Sequence, residues 1–322
     1  MLKFTMRSGV LFLSILSVLL CAGSSSAFAA DGRKWDGGKY PFRLLDPSKQ
    51  NSENNPFIID TAGKLAYFAE LAKCEVDMEA FGKKNGLKGL RHAFKDNYVK
   101  LTADLDMNGS RYEFKTITGS SVNFDGGGHV LTNLRISDRT TPPYVNPDTG
   151  DAEITLGLFA DVESVKNLGI GTGSSVTYYG VSKLTLKVYA SALSVEAYRI
   201  DNCFSEASIT VKGIGETQIG GITNACAYLT NSANRGPIVF EGDVIDSRAK
   251  NRGRRVTPGW FKIGGVCTVG GKTLKGCSNT GSITVRASGD DVQIGGIAAD
   301  SNRRFCTDLI QFATTSVTGT GD

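Results

Sequence analysis

The pentamer QIGGI stands at Gln218–Ile222 and again, letter for letter, at Gln293–Ile297, with a near copy, KIGGV, at Lys262–Val266 between them. Their flanks align as well. CFSEASITV (Cys203–Val211) precedes the first copy and CSNTGSITV (Cys277–Val285) the last. TNSANRGPIVF (Thr230–Phe240) precedes the middle copy and puts Ser232 where the others have cysteine. Ile219 and Ile263 are 44 residues apart, Ile263 and Ile294 are 31 apart. Self-similarity at roughly 30 residues, with strand-like content, indicates stacked repeats.

Each repeat alternates. Ile209 and Val211 are apolar between polar Ser208 and Thr210, and Ile283 and Val285 repeat this beside Ser282 and Thr284. Such alternation marks a short strand with one buried face. The pentamer is a second short strand, whose glycine pair lets the backbone turn or approach a neighbour where a side chain would clash. A third segment, YRIDNC (Tyr198–Cys203) or TLKGC (Thr273–Cys277), completes the coil. The expected fold is therefore all-β: a parallel β-helix of three-strand coils, with successive coils about 4.8 Å apart.

Weaker copies lie upstream in ASALSVEAYRIDNC (Ala190–Cys203), LGLFADVESVKNLGI (Leu156–Ile170) and NFDGGGHVLTNLRI (Asn123–Ile136). Together they predict about six coils. KLTADLDMNG (Lys100–Gly109) reads as the first strand. DTAGKLAYFAELAKC (Asp60–Cys74) instead carries Leu65, Ala66, Phe68, Ala69 and Ala72 at helical spacing behind the N-cap candidates Asp60 and Thr61, and VDMEAFGKK (Val76–Lys84) suggests a second short helix. A helix here would cover unpaired strand edges at one end of the coils.

The composition agrees. The chain has 322 residues, 40% hydrophobic and 21% charged, with 39 glycines and only 8 prolines. That excludes a disordered or collagen-like chain and suits a β protein rich in tight turns. At the N-terminus, Lys3 and Arg7 precede the apolar VLFLSILSVLLCAG (Val10–Gly23) and the cleavage-like SAFAA (Ser26–Ala30). This is the signal-peptide pattern. A lipoprotein acylated at Cys21 is the alternative, though Leu20 precedes it where a small residue is normal. No later stretch has the roughly 20 apolar residues a membrane span takes. Without residues 1–29 the 36 basic residues become 34 against 32 acids, a net charge of +2. That balance gives no reason to expect nucleic acid as a partner. The expected division is 1–29 signal peptide, 30–55 extended segment, 56–100 helical cap and 101–322 parallel β-helix, with a truncated C-terminal end as one reading.

Taken in order, WDGG (Trp35–Gly38), NPFIIDTAGKLAYFAEL, YVKLTADLDMNG, FDGGGHVLTNLRI, GLFADVESVKNLGI and the repeated IGGI units resemble bacterial surface proteins carrying GLUG motifs, across most of residues 35–300. The resemblance implies a right-handed, pectin-lyase-like β-helix on an exported protein. It also implies roles in adhesion or as stalk-like segments of larger surface proteins, including some immunoglobulin A peptidases. The chain departs from the pattern where Ala190–Val195 lacks the glycine pair, where the middle repeat carries an insertion, and at its end, TSVTGTGD, which has no wall-anchor motif.

A zinc peptidase needs H-E-x-x-H, but the only histidines, His92 and His129, lack that context. The serine elbow G-x-S-x-G is absent. RRVTP (Arg254–Pro258) lacks the second arginine of a lyase motif, and the adjacent Asp290 and Asp291 fall in a turn. DLDMNG (Asp104–Gly109) matches half of a calcium loop but places Lys115 at the twelfth position, where an acid should stand; strand plus turn explains the same letters. No catalytic residue, metal site or cofactor is expected. Cys203 and Cys277 hold the same repeat position with one coil between them, so about 9–10 Å separates them, too far for a disulfide. Buried free thiols are expected there, and Cys226 with Cys267 is a candidate bridge between neighbouring coils.

The insertion contains DSRAKNRGRRVTPGW (Asp246–Trp260), with Arg248, Lys250, Arg252, Arg254 and Arg255 inside eight residues and only Asp246 opposing them. Arginines near Trp260 could hold anionic glycans through paired hydrogen bonds and stacking; a solvated basic loop is the plain alternative. SDRTTPPYVNPDTGDAE (Ser137–Glu153) reads as a surface excursion. The expected function is an exported, non-enzymatic, adhesin-like protein binding host or environmental polymers. A polysaccharide-active lyase or hydrolase on the same fold is one alternative, and a structural stalk of a larger surface protein is the other.

Overall fold

The computed structural model describes residues 34–73, 96–119, 121–138, 152–180, 186–214, 216–243, 261–288 and 292–301, with 82, 94, 144–145, 306–307, 310–311 and 315–318. The leader, Cys74, His92, Asp290, Asp291, the basic loop and, save for Gly82, the second helix lie outside the described residues. What is described is all-β apart from one regular helix, α1 (Ala62–Ala72).

The strands form four sheets of ten, seven, six and six strands. From Phe159 onward the chain visits them in one fixed order. Phe159–Lys166 lies in the ten-stranded sheet, Gly169–Ile170 in the seven-stranded one, Ser175–Tyr179 in a six-stranded sheet and Leu186–Ser191 in the other. Ser194–Asp201 then begins the next circuit as the parallel neighbour of Phe159–Lys166. The two six-stranded sheets are called here the SITV sheet and the IGG sheet, after their repeated strands. Among the described residues, strands pair antiparallel only where Arg43–Leu44 meets Phe57–Ile59 and Tyr144–Val145 meets Ala152–Leu156, with one isolated antiparallel bridge between Ser52 and Asn55.

The repeated letters are in register. Ile219 pairs with Ile263 and Ile263 with Ile294, while Gly220, Gly264 and Gly295 line up beside them. Ile209, Ile238 and Ile283 align in the SITV sheet, and the insertion does not disturb them. Each circuit crosses four sheets, not the three strands expected from sequence. The extra sheet is narrow: its strands Gly169–Ile170, Phe204–Ser205, Ala233–Asn234 and Ser278–Asn279 are two residues each. Two residues are too few to show an alternating pattern.

The glycine pair has two separate causes. A Cβ on Gly220, Gly264 or Gly295 would lie 1.7 Å from the carbonyl oxygen three residues on, at Thr223, Cys267 and Ala298. A Cβ on Gly221 would lie 2.0 Å from the Gly265 carbonyl of the next circuit and 2.6 Å from Asn234 Cγ; one on Gly265 would meet Gly296 O at 1.9 Å and Asn279 Nδ2 at 2.3 Å. In the circuit without the pair, Ser191 stands beside Gly220, which puts Ala192 in place of Gly221. Thirteen residues later that circuit carries Ser205, the in-register neighbour of Asn234. A smaller interior side chain accompanies the larger residue at the bend.

Corners are set by left-handed residues. Asn167, Asn202 and Asn231 have φ of 54°, 52° and 50°, and Gly276 follows at 62°. Asparagine tolerates this region because its short side chain bonds locally. Asn202 Nδ2 donates to Asn167 Oδ1 at 2.8 Å, and Asn167 Nδ2 donates to Asp125 at 3.1 Å.

At the N-terminal side Thr61 caps α1, its side chain accepting from Lys64 N at 3.3 Å as the sequence suggests. Leu65, Phe68, Leu71 and the helix alanines are buried. Phe68 packs on Phe94 and Phe124, with ring centroids 5.1 and 6.2 Å apart, and Phe124 continues to Phe159 at 5.3 Å. Full burial of each such ring is worth about 2–3 kcal/mol.

Candidate functional site

The longest strands among the described residues, Phe159–Lys166, Ser194–Asp201, Thr223–Thr230 and Cys267–Lys275, lie in the ten-stranded sheet, and side chains face outward from them. Register places these in three columns. One runs Lys100, Asp125, Lys166, Asp201, Thr230 and Lys275. The second runs Tyr98, Asn123, Ser164, Arg199, Tyr228 and Thr273. The third runs Asp161, Glu196, Ala225, Val269 and Asp300. Neighbours in a column stand about 4.8 Å apart, the spacing of paired strands.

The first column is held by its own charges. Asp125 lies 4.0 Å from both Lys100 and Lys166, and Lys166 meets Glu53 at 2.5 Å. The Glu53 carboxylate beside it raises the Lys166 pKa above the ordinary lysine value. Asp201 accepts from Thr230 Oγ1 at 2.5 Å and Asn231 Nδ2 at 3.0 Å.

The middle column is different. Its Tyr228 meets Tyr198, the residue before Arg199 and outside the column, edge to face at 5.3 Å, and Tyr198 remains 45% exposed. Arg199 and Lys272 stand over the Tyr228 ring at 5.4 and 5.6 Å. Tyr198 borders two open grooves of about 480 and 340 Å³. The larger carries Asp161, Glu163 and Glu196; the smaller contains Tyr98, Arg199 and Lys166. No family model matches the chain, and no curated protein or solved structure is found to be similar to it. The chemistry of this face therefore rests on its geometry.

Exposed aromatic rings, fixed cations and shallow grooves on a rigid sheet suit an extended ligand lying across the strands. Among the described residues no group of three His, Cys, Asp or Glu side chains could hold a metal ion. His129 sits at the Gly-rich turn, its Nδ1 3.2 Å from Asp104 Oδ1, which also accepts from Val130 N at 2.9 Å. Asp106 accepts from Asn108 N at 2.8 Å and Asn133 Nδ2 at 2.9 Å, so DLDMNG is a strand followed by a bonded turn.

The candidate residues read from sequence, Arg248, Lys250, Arg252, Arg254, Arg255 and Trp260, lie outside the described residues. Their attachment is described. The insertion leaves the SITV sheet after Ile238–Asp243 and returns at Phe261–Gly264 of the IGG sheet. One circuit earlier a single residue joins Ser208–Ile214 to Glu216–Gly220. The excursion between Arg135–Asp138 and Ala152–Leu156 spans the same two sheets.

Cys203, Cys226, Cys267 and Cys277 are interior. Cys203 and Cys226 are buried free thiols, and burial pushes both up to about 12. The Cys226–Cys267 bridge suggested by sequence is not formed. Cys226 stands opposite Gly270, whereas Cys267 stands opposite Thr223, so the two are out of step along their strands. Ser232 replaces cysteine conservatively. Cys203 Sγ, Ser232 Oγ and Cys277 Sγ each bond the carbonyl two residues back, at 3.3, 2.8 and 3.4 Å.

Proposed function

We propose that the protein is an exported, non-enzymatic, right-handed parallel β-helix of adhesin type, capped by α1, that binds host or environmental polymers. The fixed order of sheets and the parallel registers support the β-helix. The leader pattern and the resemblance to GLUG-motif surface proteins support export and adhesion. The observation that carries binding is the exposed Tyr198, bordering both grooves on one long sheet face. A polymer laid across the strands would contact successive circuits, each adding a modest contact. The basic loop Asp246–Trp260 is proposed as a second contact.

The test is capture of the full chain on an array of neutral and acidic glycans, beside Tyr198→Ala and a variant with the five basic loop residues changed to serine. Selective capture weakened by Tyr198→Ala supports the face, and capture weakened by the loop variant supports the loop. No capture of any polymer overturns the proposal and favours a structural stalk.

One observation favours a polysaccharide-active enzyme. Asp161 and Glu196 are in register on neighbouring strands and share the larger groove with Glu163. Paired carboxylates at short range are what a retaining glycosidase uses. Release of reducing ends from a captured glycan, abolished by Glu196→Gln, would establish that alternative.

A further inference from the structure

Arg199 and Lys272 make no ion pair among the described residues, whereas Lys100 and Lys166 on the same face are tied to Asp125. Yet the two are brought together over one ring, Tyr228. Arg199 comes from the strand before Tyr228 and Lys272 from the strand after it, and cation–π attraction holds each of them in place. Among the described residues neither charge is compensated by a neighbouring carboxylate, so an anionic ligand on this face would meet both.

Lys272 reaches this position through a local irregularity. Between the rungs Cys226–Gly270 and Tyr228–Thr273, Cys267–Lys275 carries one residue more than its partner strand. Such a bulge re-aims side chains. Gly271 permits it: a Cβ there would lie 2.5 Å from Cys226 O and 2.8 Å from Ala227 Cα. The nearby Asp201 accepts from Thr230 and Asn231 through Oδ1 and forms no ion pair with either cation. Among the described residues the groove acids Glu163 and Glu196 form no ion pair with either cation.

We infer that Arg199, Lys272 and Tyr198 form a subsite for an acidic sugar, its ring against Tyr198 and its carboxylate or sulfate on the adjacent Arg199, with Lys272 adding positive charge from across Tyr228. The inference rests on the polymer-binding proposal and narrows it. The guanidinium fork supplies directional hydrogen bonds to a planar or tetrahedral oxyanion, and the ammonium supplies charge. The exposed tyrosine face supplies the apolar contact a sugar ring needs.

The test is solution binding of the full chain to oligogalacturonate, to sulfated dextran oligomers and to neutral dextran oligomers. Preferential binding of either acidic probe is expected, weakening as salt rises. The better acidic probe identifies the anion as carboxylate or sulfate. Arg199→Gln and Lys272→Gln should each weaken it about tenfold, with an unchanged unfolding midpoint, because both side chains are exposed. Lys272→Arg should retain binding. Tyr198→Phe should retain binding and Tyr198→Ala should weaken it about tenfold. Equal binding of all three probes, or acidic binding that both glutamine variants keep, overturns the subsite. A chain that captures neutral polymers on the array but binds neither acidic probe overturns the subsite and leaves polymer binding standing. One that captures nothing and binds neither probe overturns both.

Discussion

Asn234 Nδ2 donates to Asn279 Oδ1 across 3.0 Å, and both side chains are fully buried. Each also bonds its own chain two residues on, Asn234 to Gly236 O at 2.9 Å and Asn279 to Gly281 O at 3.1 Å. The pair thus links two circuits from inside. Together with the carbonyls of Gly265 and Gly296, the amides also limit residue size at the IGG bend, because Gly221 and Gly265 lie against them.

Asn279→Leu should destabilise the protein by about 3 kcal/mol, since it orphans buried polar groups and crowds Gly265. Gly221→Ala and Asn234→Ser should each destabilise too. Their double variant should lose less than the sum, with a coupling of about 1 kcal/mol, because it reproduces the natural pairing of Ala192 with Ser205. Denaturant unfolding of the four proteins checks this. Strict additivity would show that the amide does not limit the bend.

The left-handed corners separate two effects. Asn202→Ala loses the bond to Asn167 and forces alanine to φ near that of Asn202, 52°. A loss of about 2 kcal/mol is expected. Asn202→Gly keeps the backbone unstrained and should lose about half as much. Asn231→Gly should be the mildest of the three, since the next circuit already has Gly276 at this corner. Thermal midpoints in the order Asn231→Gly, Asn202→Gly, Asn202→Ala check the argument, and the reverse order would refute it.

The buried thiols predict a pH dependence. Desolvation raises Cys203 and Cys226 from the ordinary value of 9.0 to about 12. Below pH 9 the thiols are neutral in both states. Between about 9 and 12 the unfolded chain loses their protons while the folded chain keeps them. Stability contributed by each thiol should therefore fall as pH rises through that window. Cys203→Ser, which copies Ser232, should flatten the slope. At pH 8 neither Cys203 nor Cys226 should react with iodoacetamide until the chain unfolds, and peptide mapping reads this directly. Rapid labelling of native Cys203 would contradict its placement inside.

How much of this was legible in the sequence depended on chain separation. The IGG and SITV registers could be read because Ile219, Ile263 and Ile294 sit in near-identical contexts, and their pairing follows from like stacking on like. The matching of Cys203, Ser232 and Cys277 followed for the same reason. Helix α1 was legible from its spacing and from Thr61. The narrow sheet was not, because two-residue strands have no period. The Tyr198, Tyr228 and Lys272 group was hidden too. Its members come from three circuits, and a one-residue bulge decides where Lys272 points. Repeat matching averages over such a bulge. The signal that could have found it is VGGK (Val269–Lys272), a glycine pair inside a strand with no counterpart in the other repeats.

That bulge supplies the last prediction. Gly271 has no room for a Cβ, with Cys226 O at 2.5 Å and Ala227 Cα at 2.8 Å. Both contacts are backbone, so relief requires the strands to part or the bulge to move. Gly271→Ala should lower stability by about 1–3 kcal/mol. It should also displace Lys272 from Tyr228 and weaken acidic-sugar binding about as much as Lys272→Gln does. Lys272→Gln should leave stability unchanged, because its side chain is exposed. Measured together, the two variants separate the role of the backbone from that of the charge. If Gly271→Ala loses stability yet binds as the parent does, the bulge serves packing alone and Lys272 does not depend on it.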